Sequence, residues 1–397
     1  MLCSYSIEKL LGLKGVIVKK VEQTKTSTVI KIEMELKTHH CPDCGAATRT
    51  VHDYRCQTVK DIPAFGKPVL LIIRKRRYRC PQCGKRFQEK NTFLPRYHRM
   101  TNRLAAYVLT KPGEVCSFTS VTRQMNLSVS TVIRIFDLVQ YMPSTLPRVV
   151  SIDEFKGNTG SQKYQCILTD PVNHCIVDIL PSREKYHLIT YFKQFVRSHV
   201  THFVSDMWST YADISNTFFN QAVFVVDKYH FVRQVIWAFE AVRKEVQGTL
   251  SPYRRKYFKR SRSLLNKRYQ YLSQEQKQQV DIMLYASERL LAAYSLKEKF
   301  LQLLAPQSAE SAKKLLSSWV LLAGNSKIPR FEACAKTIIN WSAGILNALD
   351  CGYTNGFTER CNNKIKVLKR NAYEYRNFNR FRNRILHILQ YKADGVG

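Results

Sequence analysis

The chain has 397 residues, and its 63 Lys and Arg against 30 Asp and Glu give a formal charge of +33. That length allows two or three domains with substantial cores, and positive charge spread along the whole sequence points to a large polyanion as partner. No apolar run approaches a spanning length and the amino terminus lacks the parts of a signal peptide, so nucleic acid is favoured over a membrane and a reducing, cytoplasmic setting is expected.

In chain order, residues 1–38 alternate apolar and polar around Val16-Ile17-Val18 and Thr28 to Met34, a short β-hairpin pattern. Cys41-Pro42-Asp43-Cys44-Gly45 follows, and, after a further β-like run over Val69 to Ile73, Cys80-Pro81-Gln82-Cys83-Gly84. Each C-x-x-C pair is a zinc knuckle, and two knuckles complete one tetrahedral site for a structural Zn²⁺ on Cys41, Cys44, Cys80 and Cys83. The 35 residues between them imply an inserted hairpin. His39, His40 and His52 lie near enough in sequence to replace a cysteine, but a histidine beside a knuckle is more often a surface residue. Arg74, Arg76 and Arg77 sit in a run of cations interleaved with Tyr78 and, further on, Phe87, a pattern suited to tracking phosphates.

Residues 101–140 read as helical throughout. Val121 to Phe136 has the rhythm of a helix-turn-helix: a first helix ending near Met125, a turn at Asn126 and Leu127, and a cap at Ser128 or Ser130. In the second helix Val132, Ile133 and Phe136 are expected to face inward, leaving Ser130, Thr131 and Arg134 for a DNA groove. Pro143 and Pro147 mark a linker.

Val149 to Phe155 is then an apolar strand carrying Asp153 and Glu154, only one of which can face a site because neighbouring strand residues point to opposite faces. Strands over Tyr164 to Thr169 and His174 to Leu180, a helix over Arg183 to Val196, a strand over Thr201 to Ser205 ending in Asp206, a helix near Thr210 to Phe219 and a strand over Ala222 to Val226 complete the pattern. This α/β order resembles that of a ribonuclease-H-like domain, in which the first and fourth strands lie side by side and bring the two acids together. A helical insertion at about 231–350 follows, with apolar periodicity over Phe231 to Val246, Ala309 to Leu322 and Phe331 to Leu349. Eight Lys and Arg fall within Tyr253 to Arg268. The last informative helix begins near Glu359, with Asn362, Asn363, Lys366 and Arg370 at three- and four-residue steps along a face suited to a phosphodiester backbone. Arg376, Arg380, Arg382 and Arg384 extend the positive surface. Three acids from strand, strand and helix can hold Mg²⁺ or Mn²⁺ for phosphoryl transfer.

The paired knuckles, the helix-turn-helix, Ser151-Ile152-Asp153-Glu154, Ser205-Asp206-Met207, Asp227-x-x-His230 and Glu359-Arg360-x-Asn362-Asn363-x-Ile365-Lys366-x-Leu368-Lys369-Arg370 followed by Asn377-Phe378 together resemble the ISL-three family of bacterial insertion-sequence transposases. The resemblance covers nearly the whole chain in order. It implies a zinc-binding β module over 1–100, a helix-turn-helix over 101–145, and a ribonuclease-H-like domain with a helical insertion over 146–397. It also implies a DDE triad of Asp153, Asp206 and Glu359, with Asp227 and His230 as an accessory motif. The expected activity is metal-dependent cleavage and strand transfer of double-stranded DNA at the element's terminal inverted repeats, by a homodimer or higher oligomer associated with the nucleoid. A non-catalytic DNA-binding regulator and a metallonuclease that cuts without joining are the alternatives. Family members often carry Gly where Glu374 stands, so the turn after the last catalytic helix is expected to differ.

Overall fold

The computed structural model describes residues 4–113, 116–142, 145–159, 162–258, 261–305, 308–371 and 375–390. The turn at Ala372-Tyr373-Glu374 and the first proline of the linker, Pro143, lie outside them. The chain divides into two compact units, one of residues 1–141, 367–374 and 383–397, the other of 142–366 and 375–382. No helix among the described residues is long and apolar enough to cross a membrane.

In the first unit, β1 (Val16–Gln23) and β2 (Thr28–Met34) form the expected antiparallel hairpin. Two-residue strands β3 (His39–His40) and β4 (Ala47–Thr48) frame the first knuckle, β5 (Val51–Ala64) and β6 (Lys67–Arg79) fill the gap between knuckles, and β7 (Arg86–Gln88) follows the second. The long β5–β6 hairpin is the insertion implied by the knuckle spacing. It turns at Phe65-Gly66, whose φ angles of 53° and 73° are both positive, as a two-residue hairpin turn matched to strand twist requires. β6 also runs parallel to β2, giving the order β1-β2-β6-β5. Val18, Ile30, Ile32, Val59, Leu71 and Ile73 are buried in its core.

The stretch over 101–140 forms three helices, Asn102–Thr110, Phe118–Met125 and Val129–Phe136. Thr101, Ser117 and Ser128 each cap one with a side-chain oxygen, removing an orphan amide. Asn126, at φ 51°, ends the second helix in the left-handed region, so the turn falls where sequence placed it. Val132 and Phe136 face inward as expected, but the third buried residue is Ile135, with Ile133 half-buried. From Asn383 onward the helix Phe378–Gln390 also belongs to this unit. His387 meets the Phe136 ring edge-on at 5.7 Å, and Arg384 is fully buried, donating to the Cys116 carbonyl and lying 5.3 Å from the Phe118 ring. Arg384 is thus a packing residue, not part of a positive surface.

The second unit is built on a sheet of β8 (Val149–Thr159), β9 (Gln162–Asp170), β10 (Cys175–Leu180), β11 (His202–Ser205) and β12 (Val223–Val226), in the order β10-β9-β8-β11-β12. The first three form an antiparallel meander, while β11 pairs in parallel with β8 and β12. First and fourth strands are neighbours, as the element order suggested. Alternation splits the faces. Val150, Ile152 and Phe203 pack with helices Lys185–Phe192 and Ser209–Phe218, whereas Val149 and Val204 pack with the helical tract that follows β12.

That tract begins with helix Lys228–Thr249 and ends with Ser342–Cys351. The stretch Phe331 to Leu349, periodic in sequence, is broken at Trp341 into Pro329–Asn340 and Ser342–Cys351. Two helices that periodicity did not single out, Gln274–Tyr285 and Glu288–Gln302, pack in its core through Val280, Met283, Leu290 and Phe300. Gly344 lets Ser342–Cys351 sit against β12, since a Cβ there would lie 2.7 Å from Val226 Cγ2, and Asn347 Nδ2 donates to the Phe224 carbonyl at 2.8 Å. This docking delivers the chain to the next helix, Gly356–Asn371.

Candidate active site and DNA-facing surfaces

The two knuckles fold alike. The Gly45 and Gly84 amides donate to the Cys41 and Cys80 carbonyls at 3.0 and 3.1 Å, and both glycines have positive φ, 73° and 72°, where a side chain would be strained. The four Sγ atoms lie within 4.8 Å of one another, which suits one tetrahedral zinc. The Cys83 and Gln82 amides aimed at Cys80 lower its thiol, while Cys44 and Cys83, facing the other sulfurs, are raised. His40 and His52 are exposed, and His39 packs at 4.6 Å on the buried Tyr78 ring.

The cations of β6 divide by environment. Arg76 is buried, its guanidinium held by Glu33 at 3.3 Å, Glu89 at 3.3 Å and the Met34 carbonyl at 2.8 Å, so it is corrected from phosphate contact to core ion pair. Arg77 pairs with Asp53 at 2.9 Å. Arg74 is half-exposed, bonded to Glu33 at 2.9 Å and lying 3.9 Å over the Tyr54 ring. On helix Val129–Phe136, Ser130 and Arg134 are exposed and Thr131 half-buried. In the second unit Arg254, Arg255, Lys256, Arg262 and Lys267 are exposed, while Arg382 is bonded to Asp178 at 2.6 Å.

The acids gather at the carboxyl ends of the parallel strands. β11 pairs with β8 through His202↔Val149, Phe203↔Val150 and Val204↔Ser151, and with β12 through Ser205↔Val226. Carrying both registers onward sets Asp153, Asp206 and Asp227 level on three adjacent strands, about 4.8 Å apart per strand. Asp227 therefore stands level with Asp206 and Asp153. Glu154 points to the other face, where Arg183 Nη1 holds it at 2.6 Å.

The fourth acid arrives through Asn355, a buried residue that sequence did not reveal. Its amide donates to Asp227 Oδ1 at 2.9 Å, its side chain accepts from Ser151 Oγ, and its Nδ2 donates to the Ile152 carbonyl at 3.4 Å. It thus ties β12 to β8, and its carbonyl accepts from the Glu359 amide at 2.8 Å, starting the helix. One turn on, Asn362 Nδ2 donates to Asp153 Oδ2 at 2.9 Å. Asn362 is buried, so it is corrected from DNA contact to a residue that orients Asp153; Asn363, Lys366 and Arg370 are exposed. Thr354-Asn355, capping residue types one turn ahead of Glu359, was the available signal for Asn355, and for Asn362 helical spacing alone does not say which side is buried.

Burial dominates the electrostatics. It raises Asp153 to about 7, with the charges of Asp206 and Asp227 adding to the effect, and raises Asp206 and Asp227 to about 6. His230, on the first turn after Asp227, is lowered to about 4 by burial and by Arg233, and its Nε2 lies 3.8 Å from Asp227 Oδ2. Asp206 Oδ1 and Asp227 Oδ2 are buried without a hydrogen-bond partner among the described residues. Hard, uncompensated carboxylate oxygens are the donor set that Mg²⁺ or Mn²⁺ takes. Among the described residues only the four cysteines bring three or more ligand atoms within 4.8 Å of one another, and the acids of the row, taken three together, stand wider apart.

Comparison with known proteins gives the same layout. Residues 150–385 match a transposase model of the ISL3 family, 37–83 a zinc-finger model of transposases of the IS204/IS1001/IS1096/IS1165 type, and 89–139 the helix-turn-helix domain of ISL3 transposases. The chain is 28% identical over 398 residues to the transposase for insertion sequence element IS1001 of Bordetella parapertussis, covering 93% of this chain and 94% of that one. It is 25% identical over 258 residues to the transposase for IS1557 of Mycobacterium tuberculosis, covering 58% and 57%. A shorter match, 36% identical over 107 residues, is to a Lactococcus lactis protein described as an ATP-dependent protease, covering 27% of this chain and 33% of that one. With a family model spanning more than half the chain and the zinc and helix-turn-helix models preceding it in order, this chain belongs to the ISL3 family of insertion-sequence transposases.

Proposed function

We propose that the second unit is a ribonuclease-H-like DDE domain that cuts DNA at the ends of an insertion sequence and joins the freed 3′ ends to a target. The observation that carries this reading is the level row of Asp153, Asp206 and Asp227, closed by the helix that Asn355 ties down and that bears Glu359. Asp153, Asp206 and Glu359 are the residues that would hold Mg²⁺ or Mn²⁺. Bound there, such ions neutralise phosphodiester charge and activate the attacking oxygen.

The chain's own groups set up the rest. Asn362 fixes which Asp153 oxygen faces the site, Asn355 holds strand and helix acids in one frame, and Arg183 keeps Glu154 turned away. His230, neutral at ordinary pH, stands beside Asp227 without adding positive charge. Asn363, Lys366 and Arg370 offer donors and charge to the backbone leading to the scissile phosphate. In the first step water displaces the 3′ oxygen of the element end in line, leaving a 3′-hydroxyl and a 5′-phosphate. In the second, that hydroxyl displaces a 3′ oxygen in target DNA, so one phosphodiester forms for each one broken.

The zinc module and the helix-turn-helix would read the terminal inverted repeats, through Ser130, Thr131 and Arg134 in the groove and Arg74 and Arg77 toward phosphates. Two ends must be held together for joining, which requires a homodimer or higher oligomer on DNA, at the nucleoid of the cytoplasm. We assign 1–100 to the zinc module, 101–145 to the helix-turn-helix and 146–397 to the catalytic segment, whose last residues, from Asn383, group with the first compact unit. The test is strand transfer with the DNA flanking the reading frame: a transposase binds, cuts and joins in Mg²⁺. A regulator would bind without cutting, and a simple metallonuclease would cut without joining.

A further inference from the structure

Helix Lys228–Thr249 leaves the acid row directly, one residue after Asp227, and carries Tyr229, Arg233 and Trp237 at four-residue steps along one face. Tyr229 is 53% and Trp237 54% exposed, and the Arg233 guanidinium lies 5.1 Å from the first ring and 4.5 Å from the second. Arg233 Nη2 is also 3.1 Å from His230 Nδ1, and His230 Nε2 lies 3.8 Å from Asp227 Oδ2, so this ladder begins beside the acid row. Lys244 lies exposed two turns further along the same face. Single exposed aromatics are ordinary. Of the four tryptophans, however, Trp319 is buried and Trp208 and Trp341 are half-buried against the cores, which leaves Trp237 alone with its ring mostly in solvent.

We propose that Tyr229, Arg233 and Trp237 form a stacking platform for a DNA base that leaves the duplex beside the phosphodiester being cut. This inference rests on the DDE reading of the acid row. The chemistry is specific to an unstacked base. Every base offers a π-face that an indole or phenol can cover, while the cation between the rings holds both in place and attracts the adjoining phosphate. A base lodged there lies up to about 15 Å along the helix from Asp227, so it holds the strand a nucleotide or two from the phosphate at the acid row, and the cost of unstacking is recovered on the aromatic faces. The same surface is poorly suited to a paired duplex, whose bases present no free face.

The experiment uses the full zinc-loaded chain and a duplex with one bulged 2-aminopurine, against the same duplex fully paired. Wild type is expected to quench the bulged fluorophore and to bind the bulged duplex more tightly. Trp237→Ala should abolish the quench and weaken bulged-duplex binding roughly 5- to 150-fold, the range expected for loss of one base–aromatic stack, with paired-duplex binding unchanged. Trp237→Phe should restore part of both. Because Trp237 is exposed, these variants should keep wild-type circular dichroism and zinc content. Equal binding of both duplexes by wild type without quenching, or equal weakening of both by Trp237→Ala, would overturn the proposal. Asp153→Ala separates it from the catalytic reading: it should quench as wild type does. If Asp153→Ala also cuts element ends normally, the DDE assignment fails while the platform stands.

Discussion

Asn355→Ala isolates the tie between strand and helix acids. The side chain is buried and makes two bonds, with Ser151 Oγ and with the Ile152 carbonyl, while its amide bond to Asp227 survives in the variant. At about 1 kcal/mol net per lost bond, the second unit should lose about 2 kcal/mol of stability, since Ser151 keeps Thr358 as a partner at 3.2 Å. Catalysis should suffer more than stability. The Glu359 helix would lose its Asn355 anchor and be held to β8 by Thr358 and Asn362 alone, and a misplacement near 1 Å in a catalytic constellation lowers rate roughly 100-fold. Cleavage of a labelled element end should therefore fall by about two orders of magnitude, with end binding and zinc content unchanged. A variant that destabilises as expected yet cuts at the wild-type rate would show that Asn355 supports the fold alone and that the tie does not position Glu359.

Three further outcomes follow from the same geometry. Cys44→Ser removes one of four zinc ligands and should unfold the first unit's zinc module and weaken end binding; a variant that keeps its zinc and its affinity would refute the Cys₄ assignment. Asp206→Asn should stabilise the protein in buffer free of divalent ions at pH 8, by up to about 3 kcal/mol, because the folded-state value is raised to about 6 from 3.8. Between those values the native state binds more protons than the unfolded one, so wild-type stability falls as pH rises through that window and the gain in the variant should vanish by pH 4; denaturant titrations at the two pH values check this, and a gain independent of pH would refute it. Arg134→Ala should weaken end binding by about 1–3 kcal/mol and relax its sequence preference, whereas Arg76→Ala, which leaves Glu89 without its cation and Glu33 with Arg74 as its close partner, should destabilise the first unit by about 3 kcal/mol; the reverse pattern would put Arg76, not Arg134, on DNA.

Features fixed by local chemistry were legible in the sequence. The knuckles need only C-x-x-C-G and its positive-φ glycine, and the helix-turn-helix boundary follows from Asn126 and the Ser128 cap. Adjacent strands for Asp153 and Asp206 followed from element order, and the opposite facing of Glu154 from strand alternation. What was hidden depends on partners remote in sequence. Arg76 looks like a phosphate contact until Glu33 and Glu89 surround it, and Asn362 looks exposed until Asp153 claims its amide. That Asp227 stands level with Asp206 was hidden because the β11–β12 register sets it. Asn355 lies in a polar turn with no periodicity to mark it, and helices Gln274–Tyr285 and Glu288–Gln302 bury narrow stripes within mostly polar sequence.

We propose a site in which Asp153, Asp206 and Glu359 run the chemistry of DNA cleavage and joining. Its most direct test is a set of Ala variants at these three positions, with Glu154→Ala as the control, assayed for end binding, cleavage and strand transfer in Mg²⁺, Mn²⁺ and Ca²⁺. Each triad variant should bind ends as wild type does and neither cut nor join. Wild type should act with Mg²⁺ or Mn²⁺ and fail with Ca²⁺, whose looser coordination does not hold the in-line geometry. Glu154→Ala, having lost the Arg183 contact on the opposite face and a charge that raises Asp206, should retain cleavage and joining. Full activity in all three triad variants, or loss of strand transfer in Glu154→Ala with Asp153→Ala active, would contradict the account.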